Sequence, residues 1–440
     1  MSRVEIRPIQ LPRDTVAFVK AWWPIYADDP LWVPPLIFER KDFFNPKKNP
    51  YHQHADIQCF MAWKDGKPVG TISAQVDHAY QEIEAGIGFF GFFEFIDDEE
   101  VAQGLMDAAC AWLREQGMEE ARGPFNFNTN HEFGCLIDGF DTPPAIANPH
   151  NREYYPRIYE AIGMDKSKDW YAYWLDNEGG VPDRIRRISD RFEQRHPEVT
   201  IRKLSKKDFP AEKDRVHEIY DDAWSDNWGH SHMSPAEFEF MANGVKQLLD
   251  PDLAYIAFVG DEPAAVAITL PDYNQVVTKM NGRLFPFGWW HFLFGRSAIT
   301  QIRVWILGVK LKYQHLPLGA PLYVRTWDEG SKRNITGAEA SLILEDNHRM
   351  RGALEKLGAR VYKTYRIWSR GLLTAEELGD DYEEDASDAP TELLHVIPPD
   401  LLDDEPAGGT RRGFRPGDEH EKDEASAEVG EAILDEDEPE

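Results

Sequence analysis

Cysteine is nearly missing from this chain: Cys59, Cys110 and Cys135 are the three in 440 residues, an odd number without metal-ligand spacing. That excludes a disulfide framework and suits a reducing, cytoplasmic setting. No uncharged apolar run reaches the roughly 18 residues a membrane span needs, so none is predicted. The opening Met1-Ser2-Arg3-Val4-Glu5 enters strand-like alternation with no signal-peptide core. Positive charge is also scarce, with 48 Lys plus Arg against 78 Asp plus Glu, a net −30. A chain so acidic is a poor ligand for polyanions, and nucleic acid is not expected as a partner. The acidity is concentrated beyond residue 375, where 25 acidic and 4 basic residues leave −21 of the total. Residues 376–440 have too little apolar surface to offset chain entropy and read as a disordered, solubilising tail.

What the chain does have is a repeat. Ala62-Trp63-Lys64-Asp65-Gly66-Lys67-Pro68-Val69-Gly70 is matched by Ala257-Phe258-Val259-Gly260-Asp261-Glu262-Pro263-Ala264-Ala265, 195 residues later. Tyr159-Glu160-Ala161-Ile162-Gly163 is matched by Leu354-Glu355-Lys356-Leu357-Gly358 at the same offset. A hairpin signal and a helix-end signal that recur together predict two copies of one unit. The first copy is expected over 1–180 and the second over 198–370, each a mixed α/β (α+β) domain.

In the second copy a strand over 302–311 runs into a Gly/Pro loop and then a helix. There Val309, Lys310, Gln314, Leu318, Gly319 and Ala320 place backbone amides around a helix N-terminus, a cradle for a pyrophosphate. The free edge of the strand could pair with an extended amide chain such as pantetheine. This loop resembles the Gln/Arg-x-x-Gly-x-Gly/Ala loop of the GNAT superfamily of CoA-dependent N-acyltransferases. Gln314 and Gly319 match, while Pro317 replaces the middle glycine and removes one donor. Asn347, followed by Glu355-Lys356-Leu357-Gly358, resembles the second GNAT element, in which the Asn contacts the cofactor. The Tyr that often serves there as general acid is Leu354 here. Further segments, among them Trp224-Ser225-Asp226-Asn227-Trp228-Gly229 and Ile343-Leu344-Glu345-Asp346-Asn347, are similar to a bacterial tandem-GNAT family related to GNAT-type ceramide synthases.

The resemblance implies an N-acyltransferase that uses an acyl-CoA co-substrate and no metal, with a small or lipid-like amine as acceptor. It implies that the Val309 or Lys310 amide polarises the thioester. Glu345, Asp226 and His230 are the candidate bases, and Trp224, Asn227, Trp228 and Asn274 the candidate acceptor pocket. His230-x-His232 reads more simply as two loop histidines than as a metal pair. The first copy opens the corresponding helix with Asp97-Asp98-Glu99-Glu100, which repels a pyrophosphate, and is read as a degenerate wall of the pocket. The second copy carries an insertion with Phe285, Phe287, Trp289, Trp290, Phe292 and Phe294, flanked by Arg283, Arg296 and Arg303. It reads either as a packed lid or, over 284–303, as a peripheral contact with the inner membrane or a lipid tunnel. Two other readings stand beside the enzyme: a non-catalytic scaffold for an acylated ligand, and a FemX-like aminoacyl transferase, whose tRNA donor the acidic surface disfavours.

Overall fold

The computed structural model describes residues 3–225, 227–285 and 288–372. Asp226, Phe287 and the acidic tail lie outside the described residues. Copy one begins with β1 (Glu5–Ile9), β2 (Ala55–Lys64) and β3 (Lys67–Asp77). The β2–β3 turn is Asp65-Gly66, with φ of 54° and 72°, the left-handed pair that a two-residue I′ hairpin requires. β4 (Ile87–Phe95) leads to helix α1 (Glu99–Glu115), β5 (Glu120–Gly123), β6 (Cys135–Asp138), α2 (Tyr155–Ala161) and β7 (Asp165–Asp176). The Asp98 carboxylate caps α1 by accepting from the Glu100 amide. The α1 side chains Val101, Leu105 and Leu113 are buried in the first core.

Helix α3 (Asp183–Arg195) joins the copies. Copy two runs β8 (Val199–Lys203), α4 (Phe209–Trp224), α5 (Pro235–Val245), β9 (Ala254–Val259), β10 (Glu262–Pro271) and α6 (Gly288–Gly295). It continues through β11 (Gln301–Val309), α7 (Gly319–Ser331), β12 (Gly337–Leu344), α8 (His348–Lys356) and β13 (Arg360–Gly371). Helices α4 and α5 pack on one face of its strands, burying Val216, Ile219 and Phe238 against Ile256, Val266 and Ile306. Helices α3, α7 and α8 cover the other face, with Ile185, Phe192, Leu322 and Leu354 against Ala257, Ala265 and Val309.

Among the described residues the strands form one sheet, ordered β1-β2-β3-β4-β5-β13-β7-β12-β11-β10-β9-β8, with β6 also on β13. The two copies exchange their closing strands. β13, the last strand of copy two, pairs with β5 of copy one from Trp368↔Gly123 to Gly371↔Glu120. β7, the last strand of copy one, pairs with β12 of copy two from Gly337↔Asp176 to Leu344↔Trp170. β7 and β13 then pair with each other, antiparallel, at the centre.

A buried ion triad also joins the copies. His54 Nδ1 lies 3.1 Å from Asp77 Oδ1, and Nε2 lies 3.0 Å from Glu237 Oε1 on α5, off the line of a hydrogen bond. The hydrogen bond to Asp77 and the Glu237 carboxylate beside the ring raise the imidazole from 6.5 to about 10, so His54 is a cation at neutral pH.

Candidate functional site

The sheet opens at one place in copy two. β11 and β12 pair in parallel only from Gln301↔Gly337 to Val304↔Ala340. Beyond that point β12 leans toward β7, through Ile343↔Tyr171 and Leu344↔Trp170. β11 continues to Val309 with β10 as its strand neighbour. The opening starts beside a β-bulge: Thr269 faces Val304 and Ile268 faces Ile306, leaving Trp305 as the extra residue. A bulge bends the strand and re-aims its groups, a frequent device next to active sites.

Copy one has the same layout with the gap filled. β4 and β5 pair from Ile87↔Glu120 to Phe89↔Arg122. The following segment then stays on β4: the Phe125 amide donates to the Phe90 carbonyl at 2.7 Å, and the Phe92 amide to Asn126 Oδ1 at 2.8 Å. A Cβ on Gly91 would fall 1.8 Å from the Phe125 carbonyl oxygen, so only glycine permits this approach.

One segment roofs the open split. Trp224, at the end of α4, lies over β11 so closely that a Cβ on Gly308 would meet its ring at 2.3 Å. Trp228 joins the cluster of Leu342 and Leu344 on the β12 wall. Arg122 and Lys168 sit 5.4 and 5.6 Å from the Trp228 ring centroid, a cation–π pair. Asn227 lies between the two tryptophans, and its carbonyl accepts from the His230 amide. The roof is tied to the Asn-rich loop of copy one: Thr129 Oγ1 donates to the Gly229 carbonyl, and Asn130 Nδ2 to the Ser231 carbonyl, both at 2.8 Å.

His230 is 7% exposed, and its Nε2 has no hydrogen-bond partner among the described residues. Burial, reinforced by His232 and opposed by Asp221, pushes it down to about 4, so the imidazole is neutral at pH 7 and its protonated form is disfavoured. His232 Nδ1 is 2.9 Å from Asp221 Oδ1, and donor atoms of Asp221, His230 and His232 lie within 4.8 Å of one another. The structure thus adds a carboxylate to the His-x-His pair.

The loop after β11 is held from both sides. Its first turn, Leu311–Tyr313, receives Asp222 Oδ1 on the Leu311 amide at 2.6 Å. Glu262 draws in Lys312 at 2.5 Å and the Tyr313 hydroxyl at 2.9 Å, and these two hold its carboxyl down at about 2. The Lys310 ammonium is spent on Glu218 and Glu262, and its amide donates to the Ala264 carbonyl at 2.9 Å. That amide therefore does not face the split. Gln314 is 1% exposed, with Oε1 unpartnered among the described residues. Leu318, Gly319 and Ala320 bring α7 to its start, but the Leu318 and Ala320 amides donate to the Leu316 and Pro317 carbonyls at 2.8 and 3.2 Å and Pro321 has no N–H, which leaves the Gly319 amide of the expected cradle.

Glu345 and Asn347 are engaged in holding the fold. Glu345 carries an ion pair with Lys166 at 2.6 Å and accepts from the Asp169 amide at 3.1 Å. Asn347 Oδ1 caps α8 by accepting from the Met350 amide at 3.0 Å. Asn274 stands apart. It follows the end of β10 that pairs with Ile302, the opposite end of β11 from the α7 loop, and its Nδ2 donates to the Pro144 carbonyl at 2.9 Å.

Sequence reasoning passed over the polar core at the closed end of the split. Glu339 is fully buried and accepts from Asn148 Nδ2 at 2.6 Å, from the Ser341 hydroxyl and from the Tyr362 hydroxyl. Arg303, 5% exposed, sits 3.6 Å from Glu339 and donates to Ser341 Oγ at 3.1 Å and to the Ile146 carbonyl. Burial lowers the Arg303 guanidinium and raises the Tyr362 phenol. Ser341, the first β12 residue beyond the pairing, belongs to both network and split. The signal was present: Glu339 lies between Ala338 and Ala340 as the one charged residue of the strand, with Ser341 close behind. On the same face a narrow apolar slot runs between α4 and α5, lined by Val216, Phe238, Met241, Ala242, Trp305 and Ile306.

No family model matches the chain. Among solved structures, a tandem GNAT protein from the clavulanic acid biosynthesis pathway superposes with a TM-score of 0.51 at 11% identity, over 85% of this chain and 100% of that one. That likeness is one of fold, and it agrees with the paired mixed-sheet units expected from the repeat. Protein YghO of Escherichia coli K12 is 35% identical over 375 residues, 83% of this chain and 95% of its own. A bacterial ceramide synthase of Caulobacter vibrioides is 35% identical over 380 residues, 84% of this chain and 98% of its own. By that identity, across nearly the whole of both relatives, the chain belongs to the family that holds Protein YghO and the bacterial ceramide synthase, and its fold is that of a tandem GNAT protein.

Proposed function

We propose that the protein is an N-acyltransferase that moves an acyl group from a CoA thioester to an amine, with copy two as donor site. The observation that carries this reading is the asymmetry of the splits: β11 and β12 part beside a bulge, while the matching gap in copy one is filled by Phe125 and Asn126. An extended pantetheine chain can lie along β11, with its phosphates at the start of α7. The amine nitrogen attacks the thioester carbon, the C–S bond breaks, and the thiolate leaves. His230, with its buried Nε2 unpartnered among the described residues, relays the proton the amine loses to the departing thiolate, so no lasting imidazolium is needed. Ser341, held by Glu339, stands at the closed end of the split to orient the acceptor.

The finer reading is a long-chain substrate, such as a sphingoid-type amine or a long acyl donor. Two findings support it: the apolar slot ending on Trp305 and Ile306, and the ceramide synthase among the relatives. The slot is narrow in this state, about 40 Å³, so an alkyl chain enters only as α5 moves outward. The test is calorimetry with acetyl-CoA and palmitoyl-CoA, paired with turnover of His230→Gln. Binding of a CoA thioester with kcat reduced by roughly 10²–10⁴ is expected. No heat from either thioester, with the protein folded, would leave the scaffold reading in its place.

A further inference from the structure

Helix α6 turns an apolar face to solvent. Phe292 stacks on Tyr273 with centroids 5.4 Å apart, Gly295 sits against Val276, and Gly288 is buried over Arg283. Positions 288, 292 and 295 therefore form the seated stripe of the helix. The other positions point away: Trp290 is 54% exposed, Leu293 62% and Phe294 59%, with Phe285 at 72% just before the helix. Large side chains clustered this way mark an interaction surface.

Residues 273–327 contain no Asp or Glu, in a chain of net −30. Of the cations in that stretch, Arg296 is paired with Asp250, Arg303 with Glu339, Lys310 and Lys312 with Glu262, and Arg325 with Glu193, which leaves Lys279 and Arg283 for a partner. Lys279 and Arg283 are exposed beside the helix, and neither makes an ion pair among the described residues. An eight-residue helix is about 12 Å long and cannot cross a bilayer. Tryptophans with a cationic rim are instead suited to the headgroup layer. Behind the helix lies a cavity of about 510 Å³, bounded by Leu293, Phe294, Arg296, Ile302 and Arg333.

We propose that α6 and its flanks form a docking surface for an anionic lipid bilayer, with Trp289, Trp290, Leu293 and Phe294 entering the headgroup boundary and Lys279 and Arg283 against its phosphates. A second copy of this chain fits less well, because a two-fold contact sets these cations against their own kind. Membrane binding holds whether or not the split accepts a thioester.

The test is co-sedimentation of the full chain with vesicles of phosphatidylcholine alone and with 30% phosphatidylglycerol added. Binding to the anionic vesicles, at least tenfold tighter than to the neutral ones, is expected from two exposed cations near the surface. Trp290→Glu/Leu293→Glu should lose at least tenfold on anionic vesicles while its thermal midpoint stays within a degree or so. Lys279→Glu/Arg283→Glu should lose the preference for anionic lipid. No partition onto anionic vesicles, or equal binding by the first double variant, overturns the proposal. So does a concentration-dependent dimer that this variant abolishes, which would make the partner a second copy.

Discussion

Replacing His54 by glutamine should remove a pH-dependent part of the stability. The native imidazole stands at about 10 against an ordinary 6.5, because Asp77 and Glu237 face it from opposite copies. That gap corresponds to at most about 5 kcal/mol. With 24% of the side chain exposed, roughly 2–3 kcal/mol remains after solvent screening. The native value is raised, so the contribution is complete below pH 6.5 and is lost as pH climbs toward 10. Lys363 titrates in the same window with the opposite sign, since burial holds its ammonium down at about 8. It is common to both proteins, so the difference between wild type and His54→Gln isolates the triad. Urea unfolding at pH 6.0 and 9.5 should show the variant about 2–3 kcal/mol less stable at the lower pH, with most of that deficit gone at the higher. Equal deficits at both pH values would refute the linkage, and a variant as stable as wild type at pH 6.0 would refute the coupling itself.

The polar core and the slot supply two more tests. Glu339→Ala leaves Arg303 buried without its carboxylate and should cost about 3–5 kcal/mol in urea unfolding, whereas Ser341→Ala should cost about 1 kcal/mol; a mild Glu339→Ala would show that water reaches the site. Ala242→Trp fills the space between α4 and α5, and should abolish transfer from palmitoyl-CoA while transfer from acetyl-CoA persists; loss of both would place the slot outside the acyl path.

The hairpins were legible because Asp65-Gly66 and Gly260-Asp261 each carry a turn residue that tolerates positive φ, and both do so in the structure. The insertion was legible by its aromatics, although only the folded chain separates the seated Phe292 from the outward Trp290. The strand exchange was not legible: a buried strand has the same alternation whether it pairs within its own copy or with the other. The site was half-legible for a related reason. Trp224 and Trp228 lie close in sequence and flank the split, on Gly308 and on Leu342 and Leu344, while Glu339, Asn148 and Tyr362 converge from distant segments. The loop of Asn128 and Asn130 makes an Asx turn and more: the Asn130 amide donates to Asn128 Oδ1, and the Asn130 side chain holds the roof. Asn347, implied as a cofactor contact, has its Oδ1 committed to the α8 amides.

Because β7 and β13 each complete the other copy's sheet, cutting the chain near residue 197 should yield two fragments that are insoluble apart. Each would expose an unsatisfied sheet edge on β5 or β12 and an orphaned strand with nowhere to lie. Expressed together, the fragments should assemble as an obligate heterodimer. On this logic neither repeat can be lost while the other keeps its sheet complete.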